Sequence, residues 1–260
     1  MEEKRPDPQQ LLHSIRAEES RAKQGNLKIF FGYAAGVGKT YAMLQAAHQA
    51  QSAGKDVVVG YVERHIRPET LALLDGLEQL PCKEVEYKGV SLKEFDIDAA
   101  LRRRPQLILV DELAHSNAAG SRHAKRYQDV EELLRAGIDV YTTINVQHLE
   151  SLNDLVESIT HIAVSERIPD RIFDSADQVE LVDIEPSDLI IRLQEGKVYQ
   201  KGQAQRALSH FFTEENLVAL REIALRRTAD RLNRTAQKTG NEAAAKAGEH
   251  ILICLSSSPS

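Results

Sequence analysis

Two groups of residues in this chain have types and spacing suited to chemistry: the loop GYAAGVGKT, Gly32 to Thr40, and the acid pair Asp111 and Glu112. The loop follows an apolar run ending at Phe31 and precedes a helical pattern. A loop so placed can wrap its backbone N–H groups around a phosphate chain, and the helix N-terminus adds partial positive charge. Gly36 and Gly38 suit positions where a side chain would block the phosphates or where φ is positive. Lys39 is expected to reach the β- and γ-phosphates, and the Thr40 hydroxyl to bind Mg²⁺. The expected nucleotide-contacting set is therefore Gly32, Gly36, Val37, Gly38, Lys39 and Thr40. The strict pattern G-x-x-x-x-G-K-[ST] asks for a small residue at position 33, where this chain has Tyr33 and carries Gly32 one place earlier. That first glycine mainly shapes the approach to the turn, so it is the most tolerant position. A glycine-rich connection that binds nothing is the plainer alternative. Strand context, two glycines, lysine and threonine together weigh against it.

The acids close the run LILVDE, Leu107 to Glu112. Asp111 joins the nucleotide set by holding Mg²⁺ through water, together with Thr40. Glu112 could polarise an attacking water as a general base. Acids at a strand end are common by chance, but these lie downstream of the loop with one further strand between. That spacing suggests the subclass in which a strand separates the loop strand from the acid-bearing strand, where an adjacent glutamate serves hydrolysis.

Several residues form an outer circle. Glu63 follows a strand and should share the carboxyl edge of the sheet; it could meet Mg²⁺, water or a second ligand, or be a solvated acid. Asn145, Gln147 and His148 follow another strand and could sense the γ-phosphate, although Asn145 could equally cap the next helix. The loop His115 to Arg126, with Arg122, His123, Lys125 and Arg126, is either an element that folds over phosphates or a solvated basic loop. Arg221, Arg226, Arg227, Arg231 and Arg234 make a late helix basic, for an acidic partner, an anionic lipid surface or simply solvent. No histidine shows metal-ligand spacing, and no Ser-His-Asp signature surrounds any serine.

The elements that must position these residues follow from the pattern of the chain. Candidate strands are Leu27–Phe31, Asp56–Val62, Leu107–Val110, Ile138–Thr143, His161–Val164 and Val179–Asp183. Helical patterns lie between them at Lys39–Ala53, Glu69–Glu78, Ile97–Arg103, Lys125–Ala136 and Val146–Ser158. Such alternation predicts an α/β P-loop nucleotide-binding fold, with a mainly parallel sheet and helices on both faces. A helical C-terminal extension follows from Pro186 to Arg234, its last helix starting at Thr213 with Leu217, Leu220, Ala224 and Leu232 as an apolar stripe. Residues 1–25 read as an N-terminal extension, 26–234 as the domain, 235–249 as a linker, and 250–260 as the opening strand of a further domain. With 33 Lys and Arg against 39 Asp and Glu, the net charge of −6 argues against nucleic acid as the default partner. The longest uncharged stretch, Thr40 to Gly54, is too short and too polar to span a membrane. Cys82 and Cys254 alone make neither a disulfide framework nor a zinc site. The expected compartment is the cytoplasm, or the cytoplasmic face of something larger.

The segments FGYAAGVGKT, VVVGYVERH, LILVDELAHSNAAGSRHAKRYQDVEELL, TTINVQHLESLND and ALSHFFTEENLVALREIALRRTADR together resemble the N-terminal cytoplasmic domain of the KdpD family of potassium-responsive sensor histidine kinases. The resemblance covers roughly residues 5–234, and the tail from His250 resembles the first strand of the universal-stress-protein-like domain that follows in that family. It implies binding of ATP with Mg²⁺ through Lys39, Thr40, Asp111 and Glu112. It further implies a parent protein of the bacterial inner membrane whose histidine kinase core, beyond these residues, controls phosphorylation of the response regulator KdpE. The other domains of that kinase would be this domain's immediate partners. Departures from the family pattern fall at Tyr33, Ala35, Ala119, Ala124 and Tyr127. The reading that follows is a regulatory ATP-binding domain with slow hydrolysis at most. The alternatives are a stand-alone P-loop ATPase or phosphotransferase, and an interaction domain whose loop merely holds an anion.

Overall fold

Six short strands, β1 (Leu27–Gly32), β2 (Val57–Tyr61), β3 (Glu78–Gln79), β6 (Leu107–Val110), β7 (Asp139–Asn145) and β8 (Gln178–Leu181), build one sheet in the order β3-β2-β6-β7-β1-β8. The computed structural model describes residues 24–63, 68–87, 90–195 and 211–238. Every strand pair in the sheet is parallel. β7 lies between β1, which leads into the glycine-rich loop, and β6, which ends at the acids, as the spacing predicted. The segments proposed for residues 1–23 and 239–260, the N-terminal extension, most of the linker and the further domain, lie outside the described residues.

The strands read as continuous apolar runs because helices cover both faces. Along β1 the side chains alternate: Phe30 joins Met43, Leu44, Ala47, Val57, Leu107 and Leu109 on one face. Ile29 and Phe31 join Ile108, Val110, Val140 and Phe173 on the other. The first of these layers is closed by helix α1 (Lys39–Ser52) and the short α2 (Pro68–Ala72). The second is covered by α3 (Ile97–Arg103), α4 (Arg126–Arg135), α5 (Asn153–Thr160), α6 (Asp170–Ser175), α7 (Pro186–Gln194) and the long α8 (Glu214–Lys238). Local chemistry sets several ends. The Asp96 carboxylate accepts the Ala99 N–H at 2.9 Å to start α3, and the Thr213 hydroxyl accepts the Asn216 N–H at 3.3 Å to start α8.

Four departures from the sequence expectation have physical causes. The helix expected over Glu69–Glu78 stops at Ala72; a turn with Gly76 at φ 81° intervenes, and Glu78–Gln79 pairs with β2. The helix expected over Val146–Ser158 opens as two 3-10 turns, Val146–His148 and Glu150–Leu152. Backbone bonds between His148, Glu150 and Ile168 pull the chain out of helical register there. His161–Val164 is not a strand: His161 takes φ 55° to end α5, and β8 holds the place beside β1. Finally, an antiparallel hairpin, β4 (Lys83–Tyr87) and β5 (Val90–Glu94), stands apart from the main sheet. Its charged, alternating sequence carries little of the apolar signal that marks a core strand.

The basic helix is also not a solvated face. Arg221 forks onto Asp183 at 2.7–2.9 Å and reaches Glu185 at 2.7 Å. Arg227, 7% exposed, meets Asp174 at 2.6 Å and lies over the Phe173 ring. Arg231 donates to the carbonyls of Phe173 and Ala176. Arg226 points outward, to Glu222 on its own helix, and Arg234, also exposed, reaches Asp174 at 3.2 Å. The stripe Leu217, Leu220 and Ala224 is buried, whereas Leu232 is exposed. α8 continues to Lys238, past the domain boundary placed at Arg234.

Candidate functional site

The carboxyl ends of β1, β6 and β7 bring the two chemically suited groups together. In open parallel sheets ligands bind at this edge, where the connections diverge. The loop leaves β1 at Gly32, passes Gly36 at φ 90° and Gly38 at φ 108°, and enters α1 at Lys39. Residues with a β-carbon are strained at such angles, so both glycines are required by the backbone itself. Gly32 is required for another reason. A β-carbon there would lie 2.7 Å from Val37 Cγ2 and 3.2 Å from the Lys39 side chain. The small residue that the motif asks for at position 33 is thus supplied one place earlier. The Tyr33 side chain is fully buried, and its hydroxyl donates to the Ile184 carbonyl at 3.1 Å. Burial, with Asp183 nearby, pushes that phenol well above its ordinary value. Val37 is buried beneath the loop.

Lys39 is 9% exposed, and its ammonium donates to the Ala34 carbonyl at 2.9 Å. Burial lowers its pKa to about 8, against the opposing pull of Asp111 and Glu112. The Thr40 hydroxyl donates to Asp111 Oδ2 at 3.1 Å. Asp111 is itself buried, its other oxygen accepting the Thr143 hydroxyl and, at 3.1 Å, the Glu112 N–H. An ion bound by Thr40 would use the hydroxyl's lone pair while its O–H goes on donating to Asp111. One hydroxyl and one carboxylate, all oxygen, fit Mg²⁺, which keeps several waters and phosphate oxygens as its remaining ligands.

Glu112 sits in the left-handed region at φ 57°, which few residues with a β-carbon adopt. Its N–H also lies 3.2 Å from the Thr143 hydroxyl. The residue is exposed on its outer side, yet the protein packed around its carboxyl, then Asp111 and Glu63, push that carboxyl up to about 7. Glu63 accepts from the Tyr61 hydroxyl at 3.3 Å and so stands on the same edge. The side-chain oxygens of Asn145 and Gln147 are buried without a protein partner among the described residues. His148 Nδ1 is 2.8 Å from the Glu166 carbonyl. A carbonyl partner requires the proton on Nδ1, which leaves Nε2 as an acceptor. Burial holds this imidazole below its ordinary pKa, and Lys39 adds to the effect. Gln147 and His148 line a cavity of about 570 Å³ beside Ala35 of the loop, with Glu166, Phe211 and Phe212 opposite.

Arg122 is not part of this group: it is committed to Asp98 at 2.6 Å and to Glu132. His123 likewise meets Glu132 at 2.7 Å, and Lys125 meets the Ser116 hydroxyl. The loop from His115 to Arg126 is therefore tied down by its own charges. Two further residues are close to the acids: Thr143, which the sequence did not mark, and Arg126, which it marked only as one cation of the basic loop. Thr143 fixes Asp111, and its only signal was a hydroxyl at the end of the strand beside the acid-bearing one. Arg126 reaches the Asp111 carbonyl from below at 3.1 Å.

Comparison with known proteins sets this edge in context. The family profile described as "KdpD: Osmosensitive K+ channel His kinase sensor domain" matches residues 23–232. The chain is 58% identical to the Sensor protein KdpD of Clostridium acetobutylicum over 98% of its own length, and 56% identical to that of Escherichia coli over 96%. A putative sensor protein KdpD from Synechocystis is 51% identical over 91%. The chain spans 29%, 28% and 64% of the lengths of these three relatives.

Proposed function

The chain belongs to the KdpD family of sensor domains, and from that premise we propose that it is a regulatory ATP-binding module of a two-component sensor histidine kinase. Mg-ATP binds at Gly32–Thr40 with Lys39 against its phosphates. Its occupancy biases the kinase and phosphatase activities that act on the response regulator KdpE under potassium or osmotic demand. The observation that carries the nucleotide reading is the contact between the Thr40 hydroxyl and the Asp111 carboxylate at 3.1 Å, at the mouth of a loop whose two glycines hold positive φ. Bound Mg²⁺ would supply charge neutralisation for the phosphates; the chain's own groups do the rest. Lys39 exchanges the Ala34 carbonyl for phosphate oxygens, and the loop N–H groups complete the cradle. Asn145, Gln147 and His148 stand where the end of the phosphate chain would lie.

One feature supports slow turnover. Phosphoryl transfer gains much of its rate from an arginine placed on the γ-phosphate. Of the arginines in the loop that follows the acids, Arg126 is spent on Asp111 and Glu94, and Arg122 on Asp98 and Glu132. The test is phosphate release by the purified chain at saturating Mg-ATP. A regulatory module gives turnover far below the ~10 s⁻¹ of a median enzyme. Turnover near that value, lost in Glu112→Gln, would instead establish a working ATPase.

A further inference from the structure

Arg126 is the largest side chain shut wholly away from solvent in the described structure. A guanidinium so placed has to find partners for its donors. Nη1 donates to the Asp111 carbonyl at 3.1 Å, Nη2 to the Glu94 carboxylate at 3.2 Å, and Nε to Asn117 Oδ1 at 3.4 Å. The plane lies over the Tyr61 ring at 4.2 Å. Glu94, 5% exposed at the end of the hairpin, also accepts the Ala118 N–H at 2.9 Å and faces His115 Nε2 at 3.3 Å. Burial alone would raise the Glu94 carboxyl; the bonds from His115 and Ala118 and the charge of Arg126 hold it below the usual range.

An ion pair that merely fastened the hairpin to the sheet would need Glu94 and Arg126 only. The added bond to the Asp111 carbonyl has a different consequence. That carbonyl and the Glu112 N–H belong to one peptide unit. The N–H is held from one side by Asp111 Oδ1 and Thr143 Oγ1, and the carbonyl from the other by Arg126. The next residue, Glu112, is in the left-handed region, a conformation that side-chain sterics oppose and that surrounding structure must hold.

We propose that Arg126, itself fixed by Glu94, is a positioning residue that clamps the Asp111–Glu112 peptide and so aims both carboxylates toward the mouth of the Gly32–Thr40 loop. Its meaning for nucleotide chemistry rests on the reading of the preceding subsection; the clamp itself can be read without nucleotide.

The test compares Arg126→Lys, which keeps the charge but loses the fork, with the pair Arg126→Met and Glu94→Met, which removes both buried charges so that neither is orphaned. Amide hydrogen exchange is followed in the nucleotide-free chain. The clamp predicts that the amides of Glu112 and Leu113 exchange about tenfold faster in the double variant, with β1 and β7 changed less than about twofold. Arg126→Lys should fall between it and the wild type. With nucleotide, the gain in ATP affinity on adding Mg²⁺ should shrink by about the same factor, while affinity in chelator stays the same. Unchanged exchange at Glu112 and Leu113 in a folded variant overturns the proposal, as does an equal rise in every strand. If the double variant does not fold, Arg126→Lys is judged by the same criterion. A wild-type chain that binds no nucleotide overturns the ATP reading, and the exchange result still decides the clamp.

Discussion

Replacing Lys39 by methionine should make the empty chain more stable while removing its ability to bind nucleotide. The ammonium is 9% exposed and held at a pKa of about 8 instead of 10.5. That gap corresponds to about 3 kcal/mol that the folded chain bears at neutral pH to keep the charge under the loop. Methionine fills similar space without charge, and loses one hydrogen bond to the Ala34 carbonyl, worth about 1 kcal/mol. The net expectation is a gain of about 2 kcal/mol, or a rise of about 5 °C in midpoint for a chain of this size. The sign of the pH dependence follows from linkage. Between pH 8 and 10.5 the unfolded chain holds a proton that the folded chain has released, so wild-type stability rises with pH across that window. Below it the burial cost is present in full. Urea unfolding from pH 7 to 10.5 should show this rise in the wild type and its absence in Lys39→Met. Bound phosphates return the proton, so nucleotide binding at pH 8 should take up about half a proton per site, measured by calorimetry in buffers of different ionisation enthalpy. A Lys39→Met chain that is less stable than wild type at pH 7, or unchanged in its pH profile, would refute the reasoning.

Four further outcomes follow from the same geometry. Thr40→Ala should cost about tenfold in affinity for Mg-ATP while leaving ATP in chelator nearly unaffected, since the hydroxyl acts through the metal and Asp111. Residual hydrolysis should increase with pH through about 7 as the Glu112 carboxyl ionises, and Glu112→Gln should remove that limb along with most of the rate. Arg221→Ala should loosen α8 where Asp183 and Glu185 now hold it; proteolysis within 211–238 should quicken while the sheet keeps its protection. Tyr33→Phe removes the bond to the Ile184 carbonyl and should cost about 1 kcal/mol of stability by urea unfolding, with nucleotide affinity unchanged.

The parts of the site that were legible in the sequence are those whose chemistry is written locally. Gly36, Gly38, Lys39 and Thr40 are contiguous, and their backbone demands are met within the loop. The placement of Asp111 required one step more, a strand interposed between β1 and β6, and apolar periodicity carried it. Tyr33 reads as a break in the motif until Gly32 is seen lying against Val37 and Lys39. What the sequence concealed is held by long-range charge. Arg126 looks like one cation of a basic loop, yet it is buried against Glu94, more than thirty residues away in the chain. Arg221, Arg227 and Arg231 look like a solvated stripe because charge alone does not reveal the acids and carbonyls of β8, α6 and their flanks that receive them. The hairpin was missed for a related reason: its strands are rich in charge, and among their described side chains only Glu94, at the end, is buried.

The central claim is that the edge formed by Gly32–Thr40 and Asp111 binds Mg-ATP. Calorimetric titration of the chain with ATP, with and without Mg²⁺, tests it most directly. The account predicts saturable binding at one site per chain, strengthened by Mg²⁺ and abolished in Lys39→Ala. Absence of binding by the folded wild-type chain, or binding that survives Lys39→Ala undiminished, would contradict it.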